Sequence, residues 1–289
     1  MSVSIVYLNG DYLPLAEASV SVMDRGFLFG DGIYEVIPVY AGQLFRLPQH
    51  LRRLNRSLSE IFIDKSYLKE DLEEVSANLL SKNNVQNASL YWQVTRGRSS
   101  QRDHRFPSNT EVTCFATVNP LPSAAQQPDA TGRKVISVED VRWQRCDIKA
   151  ITLLANCMAR QQAENQGADE AIMVRDGFAI EGSASNLFMI QQGCLVTAPE
   201  SHWILGGITR ELILEIAREK GLRVSERLFT LDELLQADEV WISSSMREIQ
   251  PVVSVDGQAI GNGQAGPMWH QITEYYMAYK QKLYNGDIV

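Results

Sequence analysis

The chain has 289 residues, of which 45% are apolar and 21% charged, and its formal net charge is −8. This composition excludes a mainly disordered chain, and the negative charge argues against a general nucleic-acid binder. The N-terminus lacks a signal-peptide pattern, and no apolar run reaches the ~18–20 residues that span a bilayer. The four cysteines are scattered, which is typical of reduced thiols. We therefore expect a soluble cytoplasmic protein without nucleic-acid or membrane partners.

The first half of the chain predicts two hairpins followed by two helices. Asn9-Gly10 favours a tight primed turn between two strands, and a second strand pair is expected around Ala41-Gly42. Residues 47–61 carry leucine and isoleucine at i, i+3, i+7 and i+10 spacing, which predicts an amphipathic helix. A second helix is expected over 67–82 and a strand over 88–97.

The second half predicts a separate domain. Residues 119–133 are rich in Pro, Ala, Gln and Gly without apolar periodicity, so we interpret them as a linker. This leaves a smaller N-terminal α/β domain over 1–118 and a larger C-terminal domain over 134–289. The C-terminal half alternates strand patterns with helices expected over 150–166 and 209–221. The mixture predicts an α+β or α/β fold in two domains.

Two local features could supply catalytic groups. Lys149 stands at the start of the apolar run 150–155, where a partly desolvated amine can act as a nucleophile or a general base. The alternative is a lysine that snorkels to solvent from a helix N-terminus. Glu181 precedes the small residues 182–185, which allow a ligand to approach the backbone, and its carboxylate could pair with a ring nitrogen or a cation. The alternative there is an ordinary turn into a strand.

Three further features could bind anions. Two glycines precede Thr209 at the start of the 209–221 helix, whose N-terminal amides favour an anion, although such glycines are also common helix punctuation. Ser243–Ser245 follow an apolar strand. Residues 95–107 contain four arginines and His104 in one loop-like segment, which suits recognition of a carboxylate or phosphate. The alternative is a solvated basic loop. Together these parts match what pyridoxal phosphate requires of a protein.

The chain resembles the fold-type IV pyridoxal-phosphate transaminases, and among them the bacterial D-amino-acid transaminases. The similarity is carried by seven ordered segments. They are residues 24–40, 50–54, 93–107, 142–161, 181–186, 204–210 and 239–252. The resemblance implies the two-domain fold of that family, with pyridoxal 5'-phosphate as the cofactor and the cofactor lysine in the larger C-terminal domain. No metal is expected.

The resemblance also implies a role for each site residue. Lys149 is the Schiff-base lysine, and after its release by substrate it moves the proton that transamination requires. Glu181 keeps the pyridine nitrogen protonated, and Leu205 packs against the ring face. The expected phosphate ligands are Arg53, the backbone amides of Ile208 and Thr209, the Thr209 hydroxyl, and Ser245.

The subfamily is indicated by Tyr34 in the pattern G-x-Y-E and by the pair Arg102-x-His104. The D-amino-acid enzymes are similar at these three positions, and the resemblance implies that they hold the substrate α-carboxylate. The resemblance also implies that the Arg-x-His loop comes from the neighbouring subunit, and therefore a homodimer with a shared active site. The implied substrates are amino acids and 2-oxo acids, with D-alanine and 2-oxoglutarate giving pyruvate and D-glutamate.

Several alternatives to this function are open at the level of the sequence. Within the same fold they are a branched-chain L-amino-acid transaminase, an (R)-amine transaminase and an aminodeoxychorismate lyase. Outside the enzyme class, the chain could bind pyridoxal phosphate without turnover, or the arginine loop could bind nucleic acid. Pro38 stands where similar proteins often carry a basic residue, so we expect this position to bear on side-chain preference.

Overall fold

The computed structural model describes residues 4–108, 110–121 and 128–286. The described residues form two compact units. The first comprises 4–108, 110–121, 148–152 and 283–286, and the second comprises 128–147 and 153–282. The linker predicted over 119–133 overlaps the division, and its residues 122–127 lie outside the described ranges. The segment 148–152 departs from the predicted domains, because Lys149 belongs to the first unit and not to the C-terminal one.

The first unit is built on a six-stranded antiparallel sheet in the order β2-β1-β6-β5-β3-β4. Its strands are β1 (Ile5–Leu8), β2 (Asp11–Pro14), β3 (Gly32–Tyr40), β4 (Gln43–Leu44), β5 (Ala88–Thr95) and β6 (Thr113–Pro120). Both predicted hairpins are confirmed. In the first, Asn9 and Gly10 have φ angles of 52° and 105°, which is the positive-φ backbone that a primed turn requires.

Three helices accompany this sheet: α1 (Arg25–Phe29), α2 (Leu47–Glu60) and α3 (Lys69–Asn83). The two predicted helices are therefore confirmed, with ends one or two residues from those expected. Leu54 and Leu58 of α2 are fully buried and belong to one apolar cluster with Ile33 and Ile37 of β3. The buried face of α2 also carries His50, Arg53 and Ser57, so polar side chains are held against the sheet.

The second unit is built on a nine-stranded sheet. Its strands are β7 (Arg133–Glu139), β8 (Glu170–Arg175), β9 (Phe178–Gly182), β10 (Asn186–Gln191), β11 (Cys194–Thr197), β12 (Arg223–Glu226), β13 (Glu239–Ser244), β14 (Glu248–Val255) and β15 (Gln258–Ala259). Six of them close into a ring in the order β10-β13-β14-β7-β8-β9, because β9 also pairs with β10 through Glu181 and Asn186. β11 and β12 extend the sheet from β10, and β15 pairs with β14.

The second unit also contains α4 (Leu154–Asn165), α5 (Ile208–Glu219), α6 (Leu231–Leu235) and most of α7 (Pro267–Tyr284). α5 confirms the helix predicted over 209–221. In contrast, the helix predicted over 150–166 begins only at Leu154. The residues before it pair with β3 of the first unit: Ala150 forms a bridge with Ile33, and the Ile151 amide donates to the Gly32 carbonyl at 3.1 Å. Backbone groups engaged with a strand cannot join a helix.

The sheet of the second unit contains both parallel and antiparallel strand pairs. Within the ring, β7 runs parallel to β8 and β14, and the other neighbouring strands are antiparallel. The predicted mixed fold in two domains is confirmed at the level of its α/β content. Among the described helices, none combines the length and the apolar character needed to cross a membrane.

Candidate active site

Lys149 lies beside Tyr34 in the first unit. The Tyr34 amide donates to the Lys149 carbonyl at 3.0 Å, and the lysine Nζ lies 4.3 Å from the Tyr34 ring centroid. The Lys149 amide lies 3.4 Å from Ser57 Oγ on α2. The side chain is partly exposed. Lys149 therefore extends from a strand-like segment and not from a helix N-terminus. Tyr34 and Lys149, which were predicted as site residues from distant parts of the chain, are neighbours in the structure.

A buried ionic cluster occupies the opposite face of β3, since successive side chains of a strand alternate. Glu35 accepts hydrogen bonds from Arg53 Nε at 2.7 Å and Arg53 Nη2 at 2.8 Å, and His50 Nδ1 lies 2.7 Å from Glu35 Oε2. Burial alone would raise the pKa of the Glu35 carboxyl, but Arg53 and His50 hold it well below its usual range. The bidentate contact fixes the plane of the Arg53 guanidinium, which was predicted to bind phosphate.

His50 was missed by the sequence analysis. Its ring is buried, and burial lowers its pKa although Glu35 opposes the change. The second ring nitrogen, Nε2, is buried without a hydrogen-bond partner among the residues that the structure describes. The available signal was its i, i+3 spacing from Arg53, which places both polar side chains on one face of a helix.

Arg102 and His104 are exposed and lie against Phe29. The Arg102 Cζ is 5.0 Å from the Phe29 ring centroid, and the His104 ring centroid is 5.4 Å from it. Arg25 holds the backbone of this loop, because its guanidinium donates to the Asp103 carbonyl at 2.6 Å and the His104 carbonyl at 3.4 Å. Within the described part of the first unit, no hydrogen bond or ring contact joins Arg102 or His104 to the Lys149 region.

In the second unit, Glu181 lies near the end of β9, and the closure of the ring places Asn186 opposite to it. Its carboxylate is buried and accepts three hydrogen bonds. Arg142 Nη1 donates to Oε1 at 2.5 Å, while Asn186 Nδ2 and the Leu205 amide donate to Oε2, each at 3.2 Å. Burial raises the pKa of the Glu181 carboxyl, and Arg142 opposes this increase.

The N-terminus of α5 lies close to this carboxylate. Gly207 is the N-cap, and no side chain caps the helix. Asn186 Nδ2 donates to the Leu205 carbonyl at 2.8 Å and so holds the loop that leads into α5. A Cβ at Gly207 would lie 1.9 Å from Asn186 Oδ1, so only glycine fits without movement. The first-turn amides, which include those of Ile208 and buried Thr209, are thus open to an anion.

Serine hydroxyls complete this end of the ring. Ser243 of β13 pairs directly with Asn186 of β10, so the two side chains lie on the same face as Glu181. Ser243 Oγ and Ser185 Oγ are both buried without hydrogen-bond partners in the described ranges. Buried hydroxyls are usually satisfied by protein, water or ligand. Ser245 follows in the turn after β13 and is partly exposed.

The structure thus places the predicted residues in two groups. Lys149, Tyr34, Arg53, Arg102 and His104 belong to the first unit. Glu181, Leu205, Ile208, Thr209 and Ser245 belong to the second. Chemically, the second group offers a buried carboxylate, a helix N-terminus and unsatisfied hydroxyls, which together fit a phosphorylated heterocycle with a basic ring nitrogen.

Comparisons with known proteins agree with this chemistry. The family model described as amino-transferase class IV matches residues 32–255. The chain is 40% identical over 277 residues to a D-alanine aminotransferase of Staphylococcus haemolyticus, covering 95% of this chain and 97% of that protein. It is 42% identical over 265 residues to a D-alanine aminotransferase of Bacillus licheniformis, covering 91% and 92% respectively.

Solved structures show the same architecture. A branched-chain amino acid aminotransferase from the thermophilic archaeon Thermoproteus uzoniensis, solved with norvaline, matches with a TM-score of 0.85. Its identity to this chain is 28%, and the match covers 98% of this chain and 97% of that one. The chain therefore shares its fold with a branched-chain amino acid aminotransferase.

Proposed function

We propose that this chain, which belongs to the amino-transferase class IV family, is a pyridoxal-phosphate-dependent transaminase of D-amino acids. It transfers the amino group of D-alanine, or a similar D-amino acid, to 2-oxoglutarate and so forms pyruvate and D-glutamate. The observation that carries the proposal is the 40% identity to a D-alanine aminotransferase over 95% of this chain. The positions of Tyr34 and Lys149, side by side, support it.

Pyridoxal phosphate supplies an aldehyde carbon that accepts the amino group and a ring that stabilises negative charge at the substrate Cα. The residues present fit this group, since Ser185 Oγ and Ser243 Oγ are buried without partners in the described ranges, and no side chain caps the N-terminus of α5. We assign the covalent attachment to the Lys149 amine. With the cofactor bound and the amine freed by substrate, Lys149 would be the base that takes the proton from the substrate Cα and the acid that gives it back.

Glu181 is assigned to the pyridine nitrogen. A buried carboxylate that stays ionised favours a proton on a basic nitrogen beside it. Asn186 and the Leu205 amide fix the orientation of Oε2, so the carboxylate plane is set before any ligand binds. We assign Leu205 itself to packing against one face of the ring.

We assign the phosphate group of the cofactor to hydrogen-bond donors of three kinds, namely a guanidinium group, free backbone amides and hydroxyls. They are Arg53, the backbone amides of Ile208 and Thr209, the Thr209 hydroxyl, and Ser245. Glu35 supports this assignment because it holds Arg53 in a bidentate contact. The positive end of α5 supports it because anions bind favourably at helix N-termini.

Tyr34, Arg102 and His104 are assigned to the substrate α-carboxylate. Arg102 and His104 are exposed and have no contact with Tyr34 in the described part of their own unit. We therefore propose a homodimer in which each subunit provides this pair to its partner. A carboxylate held in one place, with the Lys149 amine on one side of Cα, would select the D-enantiomer.

We also place the enzyme in the cytoplasm. Cys114, Cys146, Cys157 and Cys194 are all free thiols. Disulfides are rare in that compartment, and a chain without them suits it. Fractionation of cells that produce the protein, followed by immunoblotting, tests this assignment.

Steady-state assays with paired enantiomers test the activity. Purified protein with pyridoxal phosphate and 2-oxoglutarate should release pyruvate from D-alanine much faster than from L-alanine. Higher activity with L-leucine than with D-alanine would instead assign the chain to the branched-chain transaminases. A cofactor whose visible absorbance does not respond to D-alanine would indicate binding without turnover.

Lys149→Ala tests the catalytic assignment. Removal of the amine should abolish both the visible absorbance of lysine-bound cofactor and turnover, with a loss of at least about 10³-fold in kcat. Lys134→Ala is the matched control, because Lys134 lies on the exposed side of β7. Full turnover in Lys149→Ala would refute the assignment.

A further inference from the structure

An unbroken series of alternating charges leads to the Glu181 carboxylate. Arg175 Nη2 lies 2.8 Å from Asp140 Oδ2, and Asp140 in turn accepts from Arg142 Nε and Nη2, both at 2.9 Å. The remaining Arg142 nitrogen, Nη1, donates to Glu181 at 2.5 Å. All four side chains are at most 11% exposed. Solvent therefore screens these charges weakly.

The four charges sum to zero, but they act on Glu181 in opposite directions. Arg142 is the only one in direct contact with the carboxylate, and a cation at that distance stabilises its ionised form. Asp140 lies on the other side of Arg142 and reduces its effect. Burial favours the neutral form of Glu181, whereas Arg142 and the hydrogen bond from the Leu205 amide favour the ionised form, so its charge depends on this balance.

We propose that Arg142 is a positioning residue that keeps Glu181 ionised, and that Asp140 limits the influence of Arg142. The pair thereby sets how firmly Glu181 holds a proton on the pyridine nitrogen of the cofactor. The inference rests on the proposed function for its consequence in catalysis. The charge of Glu181 itself can be measured independently of that function.

The two residues should act in opposite directions. In Arg142→Met the carboxylate loses its cation, so the shared proton moves from the ring nitrogen toward the carboxyl. In Asp140→Asn the influence of Arg142 is unopposed, so the carboxyl holds a proton less firmly than in the wild type. A purely structural role would change both variants in the same direction. This difference in sign makes the proposal testable.

The main experiment is nitrogen NMR of the holoenzyme loaded with ring-¹⁵N pyridoxal phosphate. The wild type and Asp140→Asn should show a protonated ring nitrogen at neutral pH, and Arg142→Met should shift toward the unprotonated value. Arg142→Lys should restore part of the protonated signal, because it returns a cation. Arg145→Met is the matched control, since Arg145 is paired with Asp147 in a more exposed setting. An unchanged nitrogen signal in Arg142→Met would overturn the proposal.

A second measurement separates this inference from the proposed function. Infrared titration of the full chain without added cofactor follows the protonated Glu181 carboxyl, identified as the band that Glu181→Gln removes. Its midpoint should rise by about 1–3 pH units in Arg142→Met and fall in Asp140→Asn. Equal midpoints in all three proteins would refute the charge control even if transamination is observed. If Arg142→Met does not fold, Arg142→Lys and Asp140→Asn still test the proposal. The midpoint should lie above the wild-type value in Arg142→Lys and below it in Asp140→Asn.

Discussion

Glu35 in the first unit and Glu181 in the second are both buried carboxylates that face an arginine. Their pKa values are nevertheless shifted in opposite directions from the ordinary value of a glutamate. Arg53 directs two N–H groups at Glu35, and His50 adds a third contact. Arg142 directs only one N–H group at Glu181, because its other groups are engaged by Asp140. The pKa of Glu35 is held low, whereas burial raises that of Glu181.

The difference matches the roles proposed for the two sites. A carboxylate that only orients Arg53 is most effective when it is permanently ionised. A carboxylate that shares a proton with a ligand must remain responsive to its surroundings. The two carboxylates therefore differ in the number of arginine N–H groups they accept, which are two at Glu35 and one at Glu181.

The largest expected effect is on stability, and it separates the two carboxylates. Glu35→Gln removes the buried charge that both Arg53 and His50 contact, which should lower the free energy of unfolding by about 3–5 kcal/mol. Glu181→Gln should lower it by only about 1–2 kcal/mol, because Arg142 keeps its ion pair with Asp140. Urea denaturation of both variants measures the contrast. Equal losses would show that the arginine contacts do not distinguish the two sites.

The stability differences of Glu35→Gln and Glu181→Gln from the wild type should also change with pH in opposite directions. Although burial would raise the pKa of Glu35, Arg53 and His50 lower it, so its stabilising contribution is complete above the unfolded value of about 4.3 and is lost as the pH falls below it. The stability gap between the wild type and Glu35→Gln should therefore narrow in acid. Glu181, with a raised pKa, should destabilise the folded state as it ionises with rising pH.

The wild type should consequently lose stability relative to Glu181→Gln as the pH rises above about 4.3. Urea unfolding of the three proteins between about pH 2 and pH 7 measures both gaps, because the Glu35 gap changes below about pH 4.3 and the Glu181 gap above it. Gaps that stay constant over this range, or that change in the same direction for the two variants, would contradict the opposite shifts of the two carboxyls.

Much of the local structure was predictable from the sequence. The Asn9-Gly10 turn and the leucine spacing of 47–61 are signals within a few residues, and both elements form where expected. The start of the helix expected over 150–166 was wrong, because Ala150 pairs with Ile33, more than a hundred residues away in sequence. An Ala-rich pattern cannot reveal that a distant strand competes for its backbone.

The same limit applies to the candidate site. Lys149 and Glu181 could be selected because each stands at a local change of pattern. Arg142 could not, since its role depends on its contact with Glu181, 39 residues later in the chain. Asn186 was missed because its contact with Glu181 depends on the pairing of β9 with β10. The polar partners that set a charge come from elsewhere in the fold, and local spacing does not identify them.

The smallest expected effect concerns the orientation of Glu181. Gly207→Ala places a methyl group 1.9 Å from Asn186 Oδ1, so Asn186 must move and its bonds to Leu205 and Glu181 are lost. The backbone at Gly207 is extended, with φ −75°, so alanine adds no backbone strain. We expect pyridoxal phosphate to bind about tenfold more weakly, which corresponds to about one lost hydrogen bond.

Equilibrium dialysis against pyridoxal phosphate measures this loss, and the neighbouring glycine provides the control. In Gly206→Ala the new methyl would meet Glu200 Oε1 at 3.4 Å, which is an ordinary contact, so its loss of affinity should be clearly smaller. Because two hydrogen bonds of Asn186 are lost, Gly207→Ala should also lower the free energy of unfolding by about 1–2 kcal/mol, which is less than the loss expected for Glu35→Gln. If both glycine variants bound the cofactor equally well, Asn186 would not orient Glu181, and Arg142 alone would distinguish this carboxylate from Glu35.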